Sequence, residues 1–212
     1  MKFSLSIILV LAASILYAQE KNDIGAFGGS SYYIGDYNLH TQFYQPSFAG
    51  GVHFRHNSSD LYSIRLSAMM GDIRGDYNPD NHFLPGNKPS FSKRMTQLEG
   101  VVEIGFLPFD TKQQRRNNFS PYVVLGIGGA YIEGELLFQI PMGVGVKYSP
   151  MNRWTVGMEW RIHKTFNDNL DGYVNISNSP RSIIHNNDWF GIAGLFVSYR
   201  LVNQGAICPA YE

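Results

Sequence analysis

Apolar and polar residues alternate with a period of two in one segment after another of this 212-residue chain. The segment 61–70 shows the pattern most clearly, since Ser63, Arg65 and Ser67 fall on one face of an extended strand. The opposite face carries only apolar residues, which are Tyr62, Ile64, Leu66, Ala68 and Met70. A period of two indicates a strand whose two faces meet different environments. The pattern therefore predicts an all-β protein with about eight strands.

Four further segments alternate as regularly, and three are less clear. The regular ones are 48–55, 97–106, 140–148 and 155–163. The less clear ones, 23–33, 122–131 and 189–201, are rich in glycine or carry apolar residues on both faces. For the last segment we expect Leu195, Val197, Tyr199 and Leu201 to point outward, and Phe196, Ser198 and Arg200 to point inward.

The first 18 residues have the features of a secretory leader. Lys2 supplies a positive start, residues 5–16 form an apolar run of about 12 residues, and cleavage is expected after Ala18. We expect residues 1–18 to be removed, residues 19–201 to form a barrel domain, and residues 202–212 to form a short periplasmic tail. An exported chain of alternating strands is typical of an outer-membrane β-barrel.

The polarity of the two faces distinguishes a membrane barrel from a soluble one. A soluble lipocalin-like barrel is apolar inside and polar outside, and a small outer-membrane barrel has the reverse arrangement. Here the charged residues collect on the less apolar face of each strand, which favours an ion-paired interior and a lipid-facing exterior. We therefore predict an eight-stranded antiparallel transmembrane β-barrel in contact with outer-membrane lipids.

Seven charged residues fall on the predicted inward faces. They are Arg55, Arg65, Glu99, Glu103, Lys147, Glu159 and Arg161. The interior of an eight-stranded barrel is filled by side chains, and unpaired charges there are costly. We therefore predict a network of arginine and glutamate ion pairs through the lumen. The inward glycines fit the same narrow space, because their large neighbours need room.

The lengths of the connections indicate which end of the barrel faces the periplasm. With an even number of strands both termini lie in the periplasm, where turns are shorter than the extracellular loops. The predicted periplasmic turns are 57–60 and 149–153, which are short, and 108–118, which is longer. The predicted extracellular loops are 34–46, 71–90 and 166–187, which are long and polar, and 132–135, which is short.

Little in the sequence indicates catalysis. The histidines are scattered and form no compact Ser-His-acid arrangement; they are His40, His53, His56, His82, His163 and His185. We expect His53 and His163 to form hydrogen bonds in the lumen, and we predict no catalytic residue and no cofactor. Lys+Arg and Asp+Glu both number 17, which argues against a nucleic-acid-binding surface.

Two stretches invite comparison with ligand-binding motifs. No helical pattern follows the glycine run 126–129, so glycines packed within a strand explain it better than a nucleotide-binding loop. Residues 167–172 are similar to the start of a calcium loop, but no glutamate stands at the twelfth position. No metal site is predicted. Whether Asp168 and Asp171 bind a metal stays open beside the simpler interpretation of a turn-rich loop.

Several stretches, in this order along the chain, resemble the PorG-like family of small outer-membrane proteins from Bacteroidota. They are Tyr32–Asp36, Ser120–Tyr122 with Gly126–Gly128, Ile140–Lys147, Thr165–Gly172 and Cys208–Tyr211. The fourth stretch departs from the T-D-Y-L-D-D-type loop of that family at Asn167, Asn169 and Gly172. This departure weakens any role for individual acidic residues of the loop.

The resemblance implies a non-enzymatic subunit of the type IX secretion system, which exports proteins across the outer membrane and drives gliding in some species. It also implies contact with a periplasmic ring built from a PorK-like lipoprotein and a PorN-like partner. An eight-stranded barrel is too narrow to conduct folded cargo. An anchoring role is therefore expected in place of the pore itself.

The predicted tail and the long periplasmic turn are the candidate contacts with this ring. The single cysteine, Cys208, excludes a disulfide within the chain. We hypothesise that Cys208 forms a mixed disulfide with the ring lipoprotein, although a free end whose thiol has no role is the alternative. The predicted partner-binding residues are Cys208, Pro209 and Tyr211 in the tail, and Lys112, Arg115 and Arg116 in the turn.

Two other functions remain open at this stage. A generic small barrel would act in adhesion or envelope integrity through its long outer loops. A lipid-modifying enzyme would depend on His53 or His163, and is the less favoured of the two.

Overall fold

The structure, a computed structural model, describes residues 21–34, 43–76, 90–111, 117–166 and 189–201. They form a closed barrel of eight antiparallel strands in sequence order, in which the first strand also pairs with the last. The strands are β1 (Asn22–Ile34), β2 (Ser47–Asn57), β3 (Tyr62–Asp76), β4 (Ser90–Gly105), β5 (Phe119–Ile132), β6 (Glu135–Met151), β7 (Trp154–Thr165) and β8 (Trp189–Arg200). The predicted all-β, eight-stranded antiparallel barrel is confirmed.

Several predictions fall outside these residues. They concern the leader 1–18, the tail 202–212 with Cys208, Pro209 and Tyr211, the turn residues Lys112, Arg115 and Arg116, and the loop acids Asp168 and Asp171. None of the described residues belongs to a helix long and apolar enough to cross a bilayer.

The two ends of the barrel differ in their connections. We call the end at which β1 begins and β8 ends the terminal end; it also carries the β2–β3, β4–β5 and β6–β7 turns. We call the opposite end, with the other connections, the loop end. One turn at the terminal end is short, with two residues between Met151 and Trp154, and the register of β6 and β7 shifts by a bulge between Tyr148 and Met151.

The period of two places polar side chains inside and apolar ones outside. On β3, Arg65 is 3% exposed, whereas its neighbour Leu66 is 53% exposed. On β8, Phe196, Ser198 and Arg200 are buried, while Leu195 and Val197 are exposed. An exterior of this kind suits a bilayer, because the hydrocarbon core of a bilayer offers apolar contact to the barrel wall.

Aromatic side chains border this apolar exterior at both ends. Those near the terminal end are Tyr62, Phe106, Phe119, Tyr148 and Trp154, and those near the loop end are Phe48, Tyr131, Phe138 and Phe166. Between them, the exposed residues are mainly aliphatic, as Ile64, Leu125 and Met158 illustrate, and Trp160 is an exception. Two aromatic belts around an aliphatic band are typical of barrels whose belts lie at the two surfaces of a bilayer.

Some strands are longer than the sequence predicts. The predicted loop 71–90 was wrong at its first residues, because β3 continues to Asp76 and β4 begins at Ser90. The predicted turn 149–153 was too long for a similar reason, since β6 runs to Met151. In β3 the alternation changes character beyond the apolar band: Asp72 faces outward and pairs with Arg94 at 3.7 Å. When strands are predicted from apolar outward residues, the predicted strand therefore ends before the observed one.

Glycines opposite aromatic rings let the narrow interior close. Tyr122 pairs with Gly145 across β5 and β6, and its ring occupies the space of the missing side chain. A Cβ atom on Gly145 would lie 2.5 Å from Cζ of Tyr122. Phe196 and Gly157 form a second such pair across β7 and β8. The inward glycines thus have the packing role expected from the sequence.

The seam between β1 and β8 is held by a similar pair on the outer wall. The ring of Tyr32 lies over Gly191, its partner on β8, and reaches Trp160 on β7. Trp160 Nε1 donates a hydrogen bond of 2.6 Å to the Tyr32 hydroxyl. The ring of Phe43 covers Tyr32, with the two centroids 4.7 Å apart. The hydrogen bond between Trp160 and Tyr32 therefore connects β1 with β7 across the outer face of β8.

Candidate functional site

The barrel interior holds the predicted charged residues, and Glu103 is the centre of its terminal half. Glu103 Oε1 accepts Arg55 Nε at 3.0 Å and lies 3.1 Å from an Arg65 nitrogen. The other oxygen of Glu103 lies 3.7 Å from Lys147 Nζ. Glu103 is fully buried. One carboxylate thus serves three cations, contributed by β2, β3 and β6.

A second carboxylate, Glu159, continues the chain of ion pairs toward the middle of the barrel. Glu159 Oε1 lies 2.8 Å from Arg65 and 2.7 Å from Arg161. Its Oε2 accepts a hydrogen bond of 2.6 Å from the Tyr122 hydroxyl. Arg161 also pairs with Glu99. All seven predicted lumen residues therefore lie inside the barrel and belong to one connected set.

Two further charged residues, missed as members of this network, complete it near the terminal end. Arg200 Nε donates to Asp23 Oδ1 at 3.0 Å, and Arg55 lies 3.7 Å from the other oxygen of Asp23. Asp23 pairs in register with both Arg55 and Arg200. The alternation of β1 could have identified Asp23. It lies four residues before Phe27, so both side chains point to the inward face, and both are buried.

His53 and His163 are interior hydrogen-bonding residues. His53 Nε2 lies 2.8 Å from the Ser198 hydroxyl, and His163 Nε2 lies 3.1 Å from Glu99 Oε2. The imidazole of His163 also stacks on Phe190, with centroids 4.5 Å apart. The two histidines are enclosed in the lumen, so a lipid outside the barrel wall cannot reach them. In the part of the chain that is described, no group of three or more His, Cys, Asp and Glu side chains is placed to hold a metal ion.

The loop half of the interior is mainly apolar. Its buried apolar side chains are Tyr33, Ile73, Met95, Ile132, Leu137, Phe190 and Ile192. The polar residues buried at the same level are Ser31, Ser47, His163 and Thr165. Gln97, Gln139 and Met69 form the boundary with the charged half, where Gln139 Nε2 donates to Gln97 Oε1 at 3.1 Å. The ion pairs therefore occupy only part of the lumen, which is less than the sequence predicts.

Phe109 and Asp110, in the first part of the β4–β5 connection, lie at the mouth of the barrel at the terminal end. Phe109 is 5% exposed, and its ring centroid lies 5.0 Å from Lys147 Nζ. Its backbone N–H donates to the Asp60 carbonyl at 3.0 Å. The next residue, Asp110, accepts a hydrogen bond of 3.3 Å from Arg200. These two residues cover the mouth of the lumen at the terminal end. The sequence indicates only an unusually long connection at this place.

The terminal half of the interior is filled with paired charges. The buried basic residues are Arg55, Arg65, Lys147, Arg161 and Arg200, and their acidic partners are Asp23, Glu99, Glu103, Glu159 and, at the mouth, Asp110. Opposite charges in such close contact offset part of the cost of removing them from water. An interior packed in this way is typical of an eight-stranded barrel, whose lumen is filled by side chains.

Comparison with known proteins assigns the chain to a family defined by sequence. A domain family of unknown function, DUF6089, matches residues 2–210. The chain belongs to this family. No curated protein matches the sequence.

Solved structures of small barrels are similar to the chain at low identity. Neisserial surface protein A (NspA) has 12% identity and a TM-score of 0.49, covering 85% of this chain and 97% of NspA. Ail, the attachment invasion locus protein of Yersinia pestis, has 10% identity and a TM-score of 0.47, with coverages of 85% and 97%. The N-terminal barrel domain of Pseudomonas aeruginosa OprF has 12% identity and a TM-score of 0.45, with coverages of 86% and 99%.

Proposed function

We propose that this protein is a non-enzymatic barrel of the bacterial outer membrane that acts through the surfaces at its two ends. The observation that carries the proposal is the combination of an apolar wall between two aromatic belts with a lumen packed by ion pairs in its terminal half and mainly by apolar side chains in its loop half. The wall suits residence in a bilayer. The filled lumen argues against conduction, and the enclosure of His53 and His163 argues against lipid chemistry at those residues.

The domain boundaries are part of the same proposal. Residues 1–18 would direct export and be removed, residues 19–201 would form the barrel, and residues 202–212 would extend into the periplasm from the terminal end. Sequencing the amino terminus of the mature protein tests the first boundary, with Gln19 as the expected first residue. Protease added to intact cells would then leave the terminal end untouched.

One role for such a barrel is adhesion or maintenance of the envelope through the loop end. The connections after β1, β3 and β7 supply long polar segments at that end. Removing one of these segments would change attachment or envelope integrity and leave the barrel folded. This role makes no demand on the terminal end.

A more specific role is that of a subunit of the type IX secretion system, as the PorG-like motifs imply. In this role the terminal end would contact the periplasmic ring lipoprotein, and loss of the protein would impair export and, in gliding species, motility. The fixed position of Phe109 and Asp110 supports it. These residues anchor the turn whose sequence continues with Lys112, Arg115 and Arg116. The tail, with Cys208, Pro209 and Tyr211, would be the second contact.

Isolation from outer membranes under non-reducing conditions separates the two roles. The protein would be extracted gently beside two variants, Cys208→Ser and a triple substitution of Lys112, Arg115 and Arg116 by Gln. In the secretion role the ring lipoprotein accompanies the barrel, as a reducible adduct that Cys208→Ser abolishes or as a complex that the triple variant weakens. A barrel recovered alone after mild crosslinking, together with a phenotype caused by loop deletion, would instead support adhesion or envelope integrity.

A further inference from the structure

The outer wall of the barrel is not uniformly convex. A groove of about 640 Å³ lies on its terminal half, across β1, β8, β7 and β6. Its outward-facing lining residues are Ala26, Gly28, Tyr148, Val156, Leu195 and Val197. At the floor, a Cβ atom on Gly28 would meet no atom within 4 Å. The groove lies in the aliphatic band and reaches Tyr148 of the aromatic belt at the terminal end, so hydrocarbon is the chemistry that it can accept.

A basic side chain lies just beyond the terminal edge of this groove. Val156 and Val197 belong to the groove, and Trp154 and Tyr199 each lie two residues from them, roughly 7 Å toward the terminal end. The rings of Trp154 and Tyr199 meet edge to face, with centroids 5.2 Å apart. Arg153 precedes Trp154, and its guanidinium donates to the Tyr199 hydroxyl at 3.5 Å. Among the described residues no carboxylate forms a salt bridge with Arg153.

The backbone of Arg153 is held in place. Arg153 has a φ of 69°, and its carbonyl accepts a hydrogen bond of 2.8 Å from the Arg200 N–H. The Ser149 hydroxyl braces the same turn through the Trp154 carbonyl at 2.9 Å. A guanidinium at the level of an aromatic belt stands where the phosphates of a bilayer lie. Arginine binds phosphate strongly because its N–H groups match the phosphate oxygens.

We propose that this surface holds one phospholipid of the leaflet at the terminal end, with an acyl chain in the groove and its phosphate on Arg153. The proposal rests on the membrane residence proposed above and goes beyond it, since it distinguishes one retained lipid from the annular lipids around any barrel. The groove supplies the apolar contact, and Arg153 supplies the charge complementary to a phosphodiester. A lipid bound here would cover the wall beside the β1–β8 seam.

A second groove provides a matched control. It has a volume of about 460 Å³ and lies across β3, β4, β5 and β6, with Gly100 in its lining. A Cβ atom on Gly100, as on Gly28, would meet nothing within 4 Å. Gly28→Leu and Gly100→Leu therefore add the same side chain to open space on the same wall, but only Gly28→Leu fills the proposed acyl site.

The test uses the full-length protein reconstituted into vesicles of phosphatidylethanolamine and phosphatidylglycerol, transferred to detergent, washed, and weighed by native mass spectrometry. The original protein and Gly100→Leu are expected to retain one phospholipid per barrel. Gly28→Leu and Arg153→Gln are expected to retain it about tenfold less, and Arg153→Lys is expected to retain more than Arg153→Gln. Every variant should remain a folded barrel that migrates faster on a gel before heating than after it.

The outcomes separate this proposal from the proposed function. A folded barrel that inserts into vesicles but retains no lipid, or one in which both leucine variants lose lipid equally, would overturn the lipid site and leave membrane residence intact. A barrel that fails to insert at all would contradict the membrane residence itself. If the original protein and Gly100→Leu were dimers and Gly28→Leu were a monomer, the groove would be shown to accept a second copy of the chain. This result would also overturn the proposal.

Discussion

The two halves of the barrel interior are filled in different ways. The terminal half contains ion pairs in which Glu103 and Glu159 each serve more than one arginine. The loop half contains close-packed apolar side chains such as Ile73, Met95 and Phe190. An ion-pair network depends on every partner being present, whereas an apolar core depends mainly on volume and shape. We therefore expect the two halves to differ in their response to substitution.

The two halves also differ in what packs against the lumen residues. The terminal half has charged groups and a mouth closed by Phe109, whose ring packs under Lys147. In the loop half, apolar side chains such as Ile73 and Met95 pack together in the lumen. The two halves of the described interior are thus packed by two different kinds of interaction.

The largest expected effect follows from removing the carboxylate at the centre of the network. Glu103→Ala leaves Arg55, Arg65 and Lys147 without their shared partner. Breaking a buried ion pair on one side costs about 3–5 kcal/mol. The midpoint of unfolding by urea in detergent micelles should fall accordingly. A variant as stable as the original protein would show that the network does not contribute to stability.

A smaller loss is expected where a glycine makes room for a ring. Gly145→Ala places a Cβ atom 2.5 Å from Cζ of Tyr122, whose hydroxyl bonds to Glu159. Overpacking of this kind costs about 1–3 kcal/mol, measured by the same unfolding midpoint. Gly100→Ala is the control, because its new Cβ atom meets nothing, and it should be nearly neutral. Equal effects of the two substitutions would exclude ring packing as the cause.

In the loop half, a change that conserves volume should be tolerated. Met95 is fully buried within the apolar group. Met95→Leu keeps the side chain apolar and close to its original size, so a loss below about 1.5 kcal/mol is expected. If Met95→Leu reduced stability as much as Glu103→Ala, the distinction between the two halves would fail.

The smallest effect on stability is expected at the mouth. Asp110 is partly exposed where it meets Arg200, and a solvent-accessible ion pair contributes about 0.2–1 kcal/mol. Asp110→Asn should leave the unfolding midpoint nearly unchanged but increase cleavage by trypsin after Lys112, Arg115 or Arg116. Asp72→Asn, which removes the exposed pair with Arg94 at the other end, should not increase this cleavage. Equal cleavage in both variants would contradict anchoring by Asp110.

The sequence predicts the faces of the strands better than it predicts their partners. Alternation alone places Arg65 inside and Leu66 outside, because the side-chain period of a strand is a property of the backbone. The pairing of Arg65 with Glu159, 94 residues apart, depends on barrel closure and on the register of every intervening strand. No local pattern contains that information. The sequence therefore predicts which residues belong to the network but not which of them form ion pairs.

The errors have physical causes as well. The continuation of β3 to Asp76 was missed because strands lose their apolar outward face beyond the aliphatic band, as Asp72 illustrates. The apolar loop half was missed because Ile73 and Ile132 lie inward on strand ends that were assigned to loops or remained ambiguous. The role of Phe109 was missed because a turn that folds into the barrel has no periodicity.

Recording the current through a planar bilayer that contains the purified full-length barrel tests the central claim most directly. The lumen is packed by an ion-pair network in the terminal half, by apolar side chains in the loop half, and by Phe109 at the mouth. We therefore expect no stepwise conductance at any moderate voltage, even after insertion has been verified by heat-dependent gel migration. Stable conductance steps that scale linearly with voltage would contradict the closed lumen and, with it, the proposal that the protein acts through the surfaces at its two ends.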